Sequence, residues 1–119
     1  MVKGVPSQFG KFLRKLRIDF EERQGDMANV LGVTKAYLSA VELGKRSVPK
    51  EWRGMLIDKY TLDVNKTKEM DDALVEDMKV INIDASNLSL EDRILVETLG
   101  KRMTELSEEA KQKIKSILR

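Results

Sequence analysis

The chain has 119 residues, enough for one ordinary domain or for a small domain with an oligomerising extension. It contains no cysteine and no histidine, which removes disulfides, zinc fingers, thiol nucleophiles, Ser-His-Asp triads and imidazole acid-base chemistry together. The formal charge of +2 is unevenly spread: residues 1–60 carry 12 basic against 7 acidic side chains, and residues 61–119 carry 10 against 13. A polyanionic partner would therefore belong to the front half.

Taken in chain order, Phe9, Phe12, Leu13, Leu16 and Phe20 recur at helical spacing and predict a first amphipathic helix, with Ser7 as its N-cap. A short second helix turns Met27, Ala28 and Leu31 inward and breaks at Gly32. Thr34 caps a third helix through Leu43, with Leu38 and Val41 facing the core, and Gly44 ends it in a left-handed conformation. Pro49 fits the first position of a fourth helix, with Trp52, Met55, Leu56 and Tyr60 inward. Asp63 caps a fifth helix striped by Met70, Leu74, Met78 and Ile81. Residues 82–88 read as a connection. Ser89 caps a sixth helix striped by Leu95, Leu99, Met103 and Leu106, and Ser107 caps a seventh with Ala110, Ile114, Ile117 and Leu118 on one side.

The expected fold is all-α. No apolar run approaches the roughly 18 residues of a membrane-spanning helix, and the first residues lack the apolar core of a signal peptide. The expectation is a cytoplasmic protein with no membrane partner. No paired acid and base, Gly-rich phosphate loop or calcium loop stands out. The methionines sit at helical spacing, as packing residues do. No catalytic residue, metal or cofactor is expected, and the chain does not read as an enzyme.

The informative segment runs from Gln24 to Arg46, QGDMANVLGVTKAYLSAVELGKR. Two short helices meet here across a tight turn. Ala28 is small enough for close approach, Gly32 supplies the positive φ of the turn, and Val33, Leu38 and Val41 lock the crossing. At these residues the chain resembles the lambda-repressor-like family of helix-turn-helix regulators, also called the Cro or Xre family, over residues 7–60. The resemblance implies a helix-turn-helix domain of four to five helices in residues 1–61, followed by a helical C-terminal region in residues 62–119. It implies double-stranded DNA as partner. Carried over by position, Gln24, Thr34, Tyr37, Lys45 and Arg46 are its phosphate contacts, and Lys35, Ala36, Ser39 and Ala40 face the bases. It also pairs Arg17 with Glu42 to keep the recognition helix in register.

The chain departs from the family pattern in two places. Arg23 stands where a Ser, Thr or Asn usually caps helix two, next to Gly25, so fraying is expected there. Ala36 and Ala40 leave the recognition helix few hydrogen-bonding side chains, which gives weight to DNA shape and to Val2 and Lys3 in the N-terminal segment. Beyond residue 61, Leu95, Leu99, Met103, Ile114 and Leu118 exceed what short helices can hide, which marks a homodimer or partner interface. The leading expectation is a dimeric repressor of the phage or mobile-element type, acting by promoter occlusion on a palindromic site. The alternative is an antitoxin or protein-binding inhibitor whose acidic C-terminal half binds a partner protein, with the helix-turn-helix serving autoregulation.

Overall fold

A computed structural model describes residues 4–119; Val2 and Lys3 lie outside the described residues. The described residues form seven α-helices and no strand: α1 Gln8–Asp19, α2 Gln24–Leu31, α3 Lys35–Glu42, α4 Trp52–Lys59, α5 Val64–Glu76, α6 Leu90–Arg102 and α7 Glu108–Ile117. A single 3-10 turn, Met103–Glu105, follows α6. Among the described residues, no helix is long and apolar enough to cross a membrane. The chain divides into two compact units, one running to Val80 and the other Ile81–Arg119.

The side chains that choose the helix boundaries are local. The Ser7, Thr34, Asp63, Ser89 and Ser107 side chains each accept the backbone N–H three residues on, at 2.7–3.1 Å, satisfying donors the helix itself leaves unmet. Gly32 (φ 70°) and Gly44 (φ 72°) close α2 and α3 in the left-handed region, where a Cβ is costly. Pro49 does not open α4. It sits in the turn ahead, where its carbonyl accepts the Trp52 N–H at 3.1 Å. α2 lacks a capping hydroxyl, yet the Asp26 carboxylate accepts the Arg23 N–H at 2.8 Å, so one strand of a capping box replaces the missing cap.

Among the described residues, the buried apolar side chains all belong to the first unit: Phe9, Phe12, Leu13 and Leu16 from α1, Met27, Ala28 and Leu31 from α2, Leu38 and Val41 from α3, Trp52, Leu56 and Tyr60 from α4 and its end, and Met70 from α5. Phe20, expected to extend the α1 stripe, lies beyond the helix and is 49% exposed, its ring edge-on to Tyr60 at 5.0 Å. α5 falls within the first compact unit. It lies along α1, Met70 is fully buried, and Ala73 and Leu74 pack on the same core. Burying Met70 alone contributes on the order of 2 kcal/mol. Met78 and Ile81 fall past the end of α5 and are exposed.

A polar tie also joins the end of α5 to the start of α1. Asp77, just past α5, accepts the Gln8 and Phe9 N–H groups at 2.9 Å each. With Ser7 accepting from Gly10, the first three free donors of α1 are all satisfied, and a carboxylate sits at the positive end of the helix dipole. Arg53 adds a bidentate contact from α4 to Asp71 on α5, at 2.8 and 3.0 Å; its hydrogen bond lowers the Asp71 carboxyl below the usual range. At the other end of the unit, the Tyr60 hydroxyl donates to the Glu22 carboxylate at 2.6 Å.

Thr61 is a β-branched residue at φ 50°, and Thr61→Gly should raise unfolding free energy by up to about 1 kcal/mol. Asp77→Ala should lower it by about 1–2 kcal/mol. Both are read in urea titrations at neutral pH. The Tyr60 phenol is pushed far above its ordinary value, first by burial and then by the hydrogen bond to Glu22. A proton held more tightly in the folded state stabilises below the unfolded value and ceases to do so as pH rises. Stability should therefore fall as pH passes about 10, and fall less steeply in Tyr60→Phe.

Candidate nucleic-acid interface

α2, a three-residue turn and α3 form the segment on which a DNA-reading surface would have to be built. The turn is set by backbone bonds: the Val33 N–H donates to the Ala28 carbonyl at 3.0 Å, and the Thr34 hydroxyl accepts the Tyr37 N–H at 3.0 Å. α3 ends as firmly. The Lys45 N–H reaches back to the Ala40 carbonyl at 2.9 Å across Gly44, a closing bond that also places Lys45 and Arg46 against the end of the helix.

Helical periodicity then divides α3 into two faces. Leu38, Val41 and Glu42 are buried. Lys35 and Ala36 are exposed, and Ser39 and Ala40 are half-buried beside them. The four positions assigned to base contact thus share one side, spaced four apart as Lys35–Ser39 and Ala36–Ala40. Lys45 and Arg46 are exposed just beyond. Tyr37 lies between the faces: its ring packs 6.1 Å from that of Trp52, and the Arg46 guanidinium stacks over it at 4.5 Å. Such a cation–π contact contributes about 0.5–1 kcal/mol at an exposed site and holds Arg46 close to α3.

The inward face rests on Glu42. Its side chain is 0% exposed, a placement that a carboxylate tolerates only when every oxygen is matched. Arg17 from α1, itself 8% exposed, meets it with two guanidinium nitrogens, one on each carboxylate oxygen. The Gln24 amide from α2 donates to Oε1 at 3.2 Å, and the Arg14 guanidinium stands 3.7 Å from the same oxygen. Arg17 also points one nitrogen at the Met27 sulfur, 3.4 Å away. Gln24, assigned to phosphate contact, therefore has one amide proton engaged inward; an amide nitrogen carries two.

The main chain of Glu42 is equally engaged. Its carbonyl accepts from the Ser7 N–H at 2.9 Å and from the Ser7 hydroxyl at 3.2 Å. Gly10 explains how the start of α1 comes so near: a Cβ there would lie 2.1 Å from the Glu42 carbonyl oxygen. Sequence reasoning passed over Gly10, Arg14 and Asp77. A glycine inside an otherwise amphipathic helix was the one local signal of a backbone contact; Arg14 and Asp77 act across long sequence separations and leave none.

Among the described residues, no group of three or more acidic side chains could hold a metal ion. The chain matches no family model, no curated protein and no solved structure.

Removing either member of the Arg17–Glu42 pair should cost about 3–5 kcal/mol, because the other charge is left buried and unmatched. Arg17→Met with Glu42→Leu should be more stable than either single variant. A double-mutant cycle in urea measures this. Gly10→Ala should cost at least 1–3 kcal/mol, roughly the range of overpacked cores.

Proposed function

We propose that the first unit is a lambda-repressor-like helix-turn-helix domain that binds duplex DNA, with α3 as the helix that enters the major groove. The observation that carries this reading is the division of α3. Its inward face is anchored from two other helices through Glu42, while Lys35, Ala36, Ser39 and Ala40 line the adjoining, less buried side with Lys45 and Arg46 at the end. A short helix held this firmly, with small and basic residues outward, can approach base edges without side-chain obstruction.

In this reading Lys35 donates to guanine O6 or N7, Ser39 bonds to a base edge, and Ala36 and Ala40 leave room for thymine methyls. Thr34 and Gln24 lie at helix N-termini, where backbone N–H groups favour a phosphate. Lys45 and Arg46 neutralise backbone charge, and Tyr37 supports Arg46. The protein acts as a transcriptional regulator without catalytic activity, by occluding a promoter. The alternative reading, a partner-binding inhibitor or antitoxin with an acidic C-terminal half, loses its charge argument. The acidic excess is confined to residues 61–80, with six acidic against three basic side chains, and residues 81–119 hold seven of each.

Titration of labelled duplexes at several salt concentrations tests the proposal. Lys35→Ala should weaken the best site by about 1–3 kcal/mol and relax the preference at the base it faces. Lys45→Ala should weaken all duplexes alike and reduce the salt slope by about one. If both variants bind as the unaltered chain does, α3 is not the reading helix.

A further inference from the structure

We infer that Arg14 binds a backbone phosphate of the duplex beside Gln24, where α1 and the start of α2 meet the end of α3; this deepens the DNA reading and rests on it. The charges around Glu42 do not balance. One carboxylate stands there against two guanidinium groups, those of Arg17 and Arg14, and an arginine in a protein stays protonated. Arg17 alone reaches both carboxylate oxygens, and the Gln24 amide adds a third hydrogen bond. Glu42 is thus matched without Arg14. The Arg14 Nε stands 3.7 Å from it, beyond hydrogen-bond length. Among the described residues, the Arg14 guanidinium makes no hydrogen bond and pairs with no other carboxylate.

The two arginines differ in burial as they differ in partners. The Arg17 side chain is 10% exposed and that of Arg14 46%, so one guanidinium belongs to the interior and the other opens to solvent uncompensated. Gln24 stands beside it. Its amide and the Arg14 Nε are directed at the same Glu42 oxygen, Oε1, at 3.2 and 3.7 Å, and the amide has a second proton to donate. The surroundings reinforce the sign. Lys11 and Lys15 are exposed on the same helix, which carries no acidic residue before Asp19. Asp26, the acidic residue in the first turn of α2, turns its carboxylate back onto the Arg23 N–H at 2.8 Å. An unmatched guanidinium fork next to an amide donor suits a phosphate, whose several oxygens can accept from both at once. In the DNA reading the duplex backbone brings such a group to Gln24, and Arg14 is the cation adjoining it. Glu42 then has a second role. By holding the Gln24 amide and attracting Arg14 to the same oxygen, one buried carboxylate orients both the reading helix and a phosphate clamp.

Titration of a labelled duplex by the full chain at several salt concentrations, joined to urea unfolding, tests this. Arg14→Met should weaken binding about tenfold or more and lower the salt slope by about one, with the urea midpoint unmoved. Arg14→Lys keeps the charge and loses the fork, so it should restore the salt slope but only part of the affinity. A scan of single neutral methylphosphonates along the duplex then locates the contact. At one backbone position of a half-site, the loss suffered by the unaltered chain should disappear in Arg14→Met. An unchanged salt slope in Arg14→Met, or a lowered urea midpoint that accounts for the lost binding, would overturn the inference and leave Arg14 a structural neighbour of Glu42. A loss of affinity coupled to no backbone position would overturn it as well. In each of these cases the unaltered chain still binds duplex through Lys35 and Lys45, so the DNA reading stands; a chain that binds no duplex sinks both.

Discussion

A carboxylate with no access to solvent organises the first unit. Glu42 is the last residue of α3, and its side chain and carbonyl together bond to residues at the start of α1, the end of α1 and the start of α2. Burying the charge is unfavourable by several kcal/mol before its partners are counted. The same expense makes the arrangement specific: any rotation of α3 that took Glu42 away from Arg17 and Gln24 would strand it. Hydrophobic contacts through Leu38 and Val41 hold α3 on the core, but apolar packing alone tolerates small slips that a matched carboxylate does not. The outward face of α3 thereby acquires a fixed orientation.

Around that node the unit is closed and the remainder of the chain is open. Ser7 and Asp77 saturate the N-terminus of α1, Met70 seals the core from α5, and no buried side-chain polar atom among the described residues lacks a partner. Residues 81–119 show the reverse, with well-capped helices and no interior. The two halves therefore divide the labour physically. One has a closed apolar core, and the other leaves most of its apolar side chains exposed.

Much of this was legible in the sequence because its causes are local. Caps at Ser7, Thr34, Asp63, Ser89 and Ser107 follow from hydroxyl or carboxylate chemistry within four residues, and the α1 and α3 stripes follow from the helical repeat. The outward grouping of Lys35, Ala36, Ser39 and Ala40 could be placed by the same periodicity. The misplaced parts depend on distant contacts. Nothing near Asp77 announces that it caps a helix almost seventy residues earlier. The position of α5 follows from Met70 reaching the core laid down by α1 to α4, and an apolar stripe does not say which unit it seals. Phe20 matched the α1 period, yet the chain leaves the helix one residue before it. The inward bond of Gln24 depends on where Glu42 lies, eighteen residues away.

The proposal that the surface oriented by Glu42 reads duplex DNA is open to direct measurement. Selection of bound duplexes from a random pool by the full-length protein, at moderate salt, tests it most directly. The expected result is a palindromic motif whose half-sites lie about one helical turn apart, roughly 34–36 Å. Recovery of duplexes with no enriched motif would contradict it.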